Sequence, residues 1–238
     1  MSSRRLKTRV TELLAGNDLD QILAELRALP VKDVIHALFS AICRPEEPLR
    51  WHAVQAMGVS VARLADTDME AARIVVRRLL WSLNEESGGI GWGAPEALAE
   101  ILDQHQGLAG EYVHMLISYM RDDGLELCQE GNFLEHAVLQ RGLLWGIGRL
   151  AGVRPEILRE HGVAADLLPY LDSDDHAVRG LAARALGLLP APQAAAAIAK
   201  LAGDATPVAL YEGGALRTVT VEELGREALQ RIRISEVN

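Results

Sequence analysis

Aromatic residues are scarce in this chain, which has two phenylalanines, four tyrosines and four tryptophans among 238 residues. Hydrophobic residues nevertheless make up 49% of the sequence, and most of them are alanine, leucine, valine and isoleucine. Sheet-rich proteins favour aromatic and β-branched residues, whereas small aliphatic side chains suit helices that pack closely on one another. The composition therefore favours an all-α protein that is large enough to bury a core.

Cysteine and long apolar runs are scarce as well. The two cysteines, Cys43 and Cys128, are far apart in sequence, so we expect structural thiols and no disulfide framework. No apolar run reaches the roughly 18 residues that a membrane span needs, and the N-terminal segment lacks the apolar stretch of a secretory signal. We expect a cytoplasmic protein that has no membrane partner.

The charge balance is acidic, with 33 acidic and 24 basic residues and a formal net charge of −9. Binding along a phosphate backbone needs clustered lysine and arginine. We therefore expect no nucleic-acid partner.

Apolar residues recur at helical spacing nearly throughout, which predicts an almost entirely helical chain. The predicted helices span about 3–15, 18–28, 31–43, 48–64, 68–83, 93–104, 108–121, 133–150, 155–170, 175–188, 191–202 and 221–232. From about residue 31 onward they pair as an outer helix followed by an inner helix.

One inner helix recurs along the chain. The segment AVRGLAARALGLLP carries a face of small residues, and similar faces occur in PLRWHAVQAMG and ELGREALQRI. Alignment of the inner helices on this face superimposes Gly58, Ala99, Gly148, Gly187 and Gln230, which are 41, 49, 39 and 43 residues apart. Such spacing predicts stacked two-helix repeats and no single globule around a pocket.

The segment LLPYLDSDDHAVRGLAARALGLLP resembles a HEAT-like repeat, in particular the short bacterial type known from phycobilisome lyases. It has the acidic turn, then Val178-Arg179, then an alanine-rich helix that ends in Ala185-Leu186-Gly187. The resemblance is strong over about 166–202, fair over 44–64 and 221–232, and weak over 84–104 and 133–150.

The resemblance implies an all-α, right-handed α-solenoid of about five HEAT-like helical hairpins. We expect one domain over residues 1–238, with an N-terminal helical cap at 1–30, repeats at 31–202 and a last repeat at 203–238. In that last repeat, β-branched residues alternate on both sides of Gly213-Gly214, which predicts a small inserted β-hairpin with strands Val208–Tyr211 and Leu216–Val219.

Most turns from outer to inner helices are predicted to be long, at about 84–92, 122–132 and 203–220, although those at 44–47 and 171–174 are short. The opposite turns are all short. Insertions on one edge of a repeat stack often mark its binding face. In the glycine-rich turn 84–93, Trp92 aligns with Trp51 at the 41-residue interval. The predicted partner-binding residues are Arg50, Trp51, Glu85, Glu86, Gly89, Trp92, Arg141, Tyr211 and Arg217. An aromatic pair beside arginine is typical of a binding hot spot, although both tryptophans could instead cover the core.

Acidic residues recur at the turns, where Glu86, Glu135 and Asp174 share one register. We expect these residues to cap the inner helices or to pair with Arg50, Arg141 or Arg179. The alternative is a carboxylate row that binds a cation or a basic partner. The seven histidines form no zinc-binding pattern. We therefore predict no metal, no cofactor and no catalytic residue.

The favoured function is a non-enzymatic scaffold or adaptor that binds a protein or peptide along the inner helices and the elaborated edge. The lyase resemblance implies an alternative, a subunit that chaperones or attaches a tetrapyrrole such as a bilin. A third hypothesis, recognition of damaged DNA by a HEAT-like glycosylase, fits poorly with the acidic charge balance. The sequence assigns no oligomeric state.

Overall fold

The structure, a computed structural model, describes residues 3–84, 91–122 and 131–237. Within these ranges it contains thirteen α-helices and one two-stranded antiparallel sheet. None of the described helices combines the length and the apolar character that crossing a membrane would need. The chain divides into two compact units, residues 1–116 and 117–238, which we call unit 1 and unit 2. The single domain with separate cap and repeat segments stays a prediction.

Unit 1 is built around its inner helix α4. Its helices are α1 (Ser3–Leu14), α2 (Leu19–Arg27), α3 (Val31–Ala41), α4 (Glu47–Ala65), α5 (Met69–Leu83), α6 (Ala94–Gln104) and most of α7 (Gln106–Ser118). Asp18 and Asp68 accept backbone N–H groups at the starts of α2 and α5, and prolines occupy the first turns of α4 and α6. Helix α4 packs against α1, α2, α3, α5 and α6, as expected of an inner helix.

Unit 2 is built around α11. Its helices are α8 (Ala137–Val153), α9 (Pro155–Glu160), α10 (Val163–Leu167), α11 (His176–Leu188), α12 (Ala195–Ala199) and α13 (Val221–Val237), with 3₁₀ turns at Leu168–Asp172 and Pro192–Ala194. Helix α11 packs against both α8 and α13. At the start of α13, Thr220 and Glu223 each accept the other's backbone N–H, which forms a capping box.

Two predicted outer helices are wrong in detail. The helix expected over 155–170 is interrupted at Gly162, whose φ of +70° lies in the left-handed region and ends the helical path. The helix expected over 191–202 is a 3₁₀ turn followed by the five-residue α12. Both outer segments are short, while the inner helices α8, α11 and α13 are regular over 13 to 17 residues.

The β-hairpin is confirmed. Strands β1 (Pro207–Glu212) and β2 (Ala215–Thr220) pair with Val208 opposite Val219. The two turn residues, Gly213 and Gly214, have φ values of +60° and +80°. A two-residue turn with positive φ at both positions matches the right-handed twist of the strands, and glycine adopts it without strain.

Small residues bring the inner helices into close contact. A Cβ atom built on Gly187 of α11 would lie 2.5 Å from the Ala228 Cα of α13, and one built on Gly58 of α4 would lie 2.8 Å from the Glu100 Cβ of α6. Real carbon atoms do not approach so closely, so these positions require glycine. The repeated small residues therefore act as predicted, by letting successive inner helices approach within each unit.

Candidate functional site

The turns that lead into α4 and α6 lie side by side in unit 1, and we call residues 42–47 and 91–96 the rim. Gly93 has a φ of +76°, and a Cβ atom there would overlap the carbonyl oxygen of Ile42. Only glycine combines that backbone conformation with that close approach. The contact fixes the residues around position 93 against the end of α3, so the two turns form one surface.

Arg50 connects the two inner helices at the rim. Its Nη1 donates to Glu96 Oε1 at 2.9 Å, and its Nη2 lies 3.7 Å from Glu47 Oε1. The guanidinium also lies over the Trp51 ring, 4.7 Å from the ring centroid. Because the side chains of Arg50 and Glu96 are only 18% and 6% exposed, the pair is shielded from water, and it joins α4 to α6.

The two aligned tryptophans differ in exposure. Trp51 lies inside α4 and is 4% exposed, whereas Trp92 lies two residues before α6 and is 38% exposed. In this conformation Trp51 supports Arg50 from the core side, and Trp92 presents its indole to solvent. Contact between either side chain and a partner stays a prediction.

The rim contains a thiol just after the end of α3. The Cys43 Sγ lies 3.5 Å from the Phe39 carbonyl oxygen. Burial raises the pKa of the Cys43 thiol, and the negative charge of Glu96 raises it further. The thiolate is therefore disfavoured, which suits a structural residue better than a nucleophile.

In unit 2, Arg141 joins two inner helices in a similar way. Its Nε donates to Asp175 Oδ1 at 3.0 Å, and the same carboxylate caps α11 by accepting the Val178 N–H. Burial raises the pKa of the Asp175 carboxyl, but the hydrogen bonds from Arg141 and Val178 outweigh it, so the pKa lies below its ordinary value. The capping and pairing residue is thus Asp175, one position after the expected Asp174.

A third arginine extends the pattern. Arg179 Nη2 donates to Asp204 Oδ2 at 2.6 Å, and Arg179 Nη1 donates to the carbonyl oxygens of Ser173 and Asp174. Hydrogen bonds from Arg179 and Thr206 lower the pKa of Asp204 to about 2. Capping and pairing with arginine account for Asp175 and Asp204, whereas Glu135 is exposed.

The hairpin packs on the inner helices of unit 2. Trp145 Nε1 of α8 donates to the Tyr211 carbonyl oxygen at 2.8 Å, and Arg184 of α11 donates to Glu212 at 2.7 Å. Tyr211 is 5% exposed, so in this conformation it packs inside unit 2. Arg217 is more exposed and pairs with Glu212. A binding role for Arg141, Tyr211 and Arg217 stays a prediction.

Three predicted site residues, Glu85, Glu86 and Gly89, lie outside the described residues. Among the residues that the structure does describe, no group of three or more histidine, cysteine, aspartate or glutamate side chains is arranged to hold a metal ion.

Sequence reasoning missed an exposed stripe on α5. Ile74 and Trp81 are both 56% exposed, and Arg78 lies between them. Residues spaced by four and seven lie on one face of a helix. The sequence could have shown this stripe, because the other apolar residues of α5 already form one complete buried face. Ile74 and Trp81 do not fall on that face and must therefore lie on another side of the helix. The buried face consists of Ala72, Val75, Val76, Leu79, Leu80 and Leu83.

Comparisons with known proteins support the helical-repeat fold. The profile of the HEAT-like repeat family matches residues 138–189. A search of curated proteins finds no match. None of these comparisons bears on the lyase-type detail or on the cofactor-handling alternative.

Similar solved structures are repeat or engineered proteins. A designed armadillo repeat protein in complex with the peptide (KR)4 is 18% identical, with a TM-score of 0.58 over 95% of this chain and 91% of that chain. Two engineered proteins are each 17% identical, with TM-scores of 0.52 and 0.51 over 98% and 96% of this chain and 98% of each of theirs. At this identity the likeness shows the fold alone. The chain therefore has the α-solenoid fold of helical-repeat proteins, and its residues 138–189 match the HEAT-like repeat family.

Proposed function

We propose that this chain is a binding module that holds a protein or peptide partner at the rim of unit 1, with Trp92 as the main contact. The observation that carries the proposal is the exposure of the Trp92 indole, 38%, directly beside Gly93, whose backbone is fixed against Ile42. A large side chain on a fixed backbone loses little conformational freedom when a partner covers it.

The neighbouring contacts support the rim as a rigid surface. Arg50 and Glu96 join α4 to α6 at the rim, and the buried Trp51 ring packs against the Arg50 guanidinium. A tryptophan that acts as a hot spot of a binding interface contributes about 2 kcal/mol or more, which corresponds to about 30-fold in affinity. In this proposal Trp92 supplies the contact, and Arg50 and Trp51 hold it in position.

The charge of the rim favours a partner with basic residues. The carboxylates of Glu46 and Glu47 are 56% and 43% exposed, and their contacts with Arg44 and Arg50 are long, at 3.6 Å and 3.7 Å. Glu96 adds a third carboxylate against these two arginines, and the whole chain carries a formal charge of −9. A lysine or arginine side chain could contact both these carboxylates and the Trp92 ring. The designed armadillo repeat protein of similar fold, whose structure contains the peptide (KR)4, supports a peptide as the ligand class.

The test starts from a random peptide display library selected on the immobilised full chain. The affinities of the enriched peptides are then measured by fluorescence anisotropy for the native chain, Trp92→Ala and Val153→Ala. Val153 is a suitable control because it is 42% exposed and ends the inner helix α8. We expect Trp92→Ala to weaken binding by at least about tenfold and Val153→Ala to leave it within about twofold.

Circular dichroism and the melting temperature establish that both variants fold. If no peptide is enriched, or if folded Trp92→Ala binds the enriched peptides as tightly as the native chain does, the proposal is refuted.

A further inference from the structure

A second surface of unit 1 lies between the outer helices α3 and α5. A groove of about 240 Å³ runs between them and is lined by apolar parts of both helices. Its walls include Phe39 from α3 and Ile74 and Val75 from α5. Ile74 is 56% exposed, and the equally exposed Trp81 continues the apolar surface two helical turns along α5. We call Phe39, Ile74, Arg78 and Trp81 the outer stripe.

Two exposed apolar side chains in line on one helix are unusual in this chain. Most other large exposed apolar residues of the described structure occur singly on their helices or loops, as is normal for a protein surface. Ile74 and Trp81 are instead seven residues apart on one face, about 10 Å along the helix axis, and Ile74 lines the groove. Their alignment suits contact with an extended apolar face of a binding partner.

The positive charges around the groove are mostly neutralised within the molecule. Lys32 pairs with Asp68 at 2.9 Å, Arg73 pairs with Glu111 at 2.7 Å, and Arg77 bonds to Glu70. These pairs leave little net charge for a partner to meet.

Arg78 is the exception among the described residues near the groove. Its guanidinium lies over the Phe39 ring, 3.9 Å from the centroid, and no described carboxylate is within salt-bridge distance of it. The ring contact holds a cation in place midway between Ile74 and Trp81. A carboxylate from another molecule would find there a fixed guanidinium with its hydrogen-bond donors available.

We propose that the outer stripe binds an acidic amphipathic helix of a partner protein. Two apolar side chains of that helix, seven residues apart, pack against Ile74 and Trp81, and an aspartate or glutamate between them pairs with Arg78. The ligand follows from the spacing and the sign of charge on α5, and helix-in-groove binding is an established mode of recognition. The outer stripe shares no residue with the rim, so this proposal does not rest on peptide binding by Trp92.

The test uses a display library of alanine-rich helical peptides of about 16 residues. Each peptide carries two large apolar residues seven positions apart, and the positions midway between them are open to acidic, basic and neutral residues. The full chain is the target. We expect selection to enrich aspartate or glutamate at the midway positions, with affinities in the micromolar range.

Neighbouring arginines provide the matched variants. Arg78→Gln should weaken the selected peptides by about tenfold, whereas Arg77→Gln, on the same helix but paired with Glu70, should leave affinity unchanged. Ile74→Ala should also weaken binding by about tenfold. In the charge-swap arm, a peptide with lysine at the midway position should bind Arg78→Glu better than it binds the native chain. All three substituted residues are at the surface, so equal melting temperatures are expected for the four variants.

Three results would overturn the proposal. The first is enrichment of basic or neutral residues at the midway positions, or no enrichment at all. The second is equal affinity of the selected peptides for Arg78→Gln and Arg77→Gln. The third is self-association of the chain in sedimentation velocity that Ile74→Asp abolishes, because a second copy would then occupy the stripe.

Discussion

Replacing Gly187 with alanine tests whether α11 and α13 pack backbone against backbone. The new Cβ would lie 2.5 Å from the Ala228 Cα and 2.7 Å from its Cβ, whereas carbon atoms prefer about 3.5–4.0 Å. Helix α13 would therefore have to retreat by about 1 Å along the contact. Overpacking of this kind costs about 1–3 kcal/mol, and a backbone obstacle favours the upper part of that range.

Alanine also has a higher helix propensity than glycine, by about 1 kcal/mol. The net effect of Gly187→Ala should therefore be a loss of about 1–2 kcal/mol in the free energy of unfolding. Gly152→Ala is the matched control, because Gly152 is likewise the last but one residue of an inner helix of unit 2, and a Cβ there meets nothing within 4 Å. Gly152→Ala should therefore show only the effect of helix propensity, an increase of at most about 1 kcal/mol in the free energy of unfolding.

Urea unfolding of the full chain, followed by circular dichroism, measures both free energies. The melting temperature should move in opposite directions, by about 2–4 °C per kcal/mol for a chain of this size. If Gly187→Ala were as stable as Gly152→Ala, the close contact between α11 and α13 would not exist as described.

Three further predictions follow from the helix caps and titrating groups. Asp175→Ala removes both the cap of α11 and an arginine's partner, so urea unfolding should show a loss of about 1–2 kcal/mol. The pKa of Asp204 is lowered to about 2, so its stabilising effect is present above about pH 4 and lost as the pH falls toward 2. Acid titration at fixed urea should show that loss in the native chain, and less of it in Asp204→Asn. Burial raises the pKa of the Cys43 thiol, so the folded protein should react with iodoacetamide at neutral pH more slowly than the unfolded chain does. The measurement uses Cys128→Ser, in which Cys43 is the only thiol, and equal rates would contradict the prediction.

The sequence predicted local structure well at positions that only one type of residue can occupy. Gly213 and Gly214 predicted the hairpin because positive φ at both positions favours glycine. The repeated glycines at 58 and 187 predicted contacts between inner helices because any larger side chain would prevent them. The break at Gly162 was missed, since apolar periodicity continues through it and only the backbone shows the left-handed turn.

The candidate site was harder to predict because an alignment of the repeats does not show how deeply each side chain is buried. Trp51 and Trp92 are equivalent in the 41-residue register, but Trp51 falls inside α4, while α6 begins only after Trp92. The position of the helix start therefore decides which indole is buried. Arg50 shows the same limit, because its role depends on Glu96, a residue 46 positions away that no local pattern connects to it.

Photocrosslinking tests the proposed binding function most directly. A benzophenone amino acid is placed at position 92 or, as control, at position 153 of the full chain, and each protein is irradiated with the peptides selected on the native chain. We expect crosslinking at position 92 and none at position 153. Peptides that bind but crosslink at neither position, or equally at both, would contradict the assignment of the rim as the binding surface.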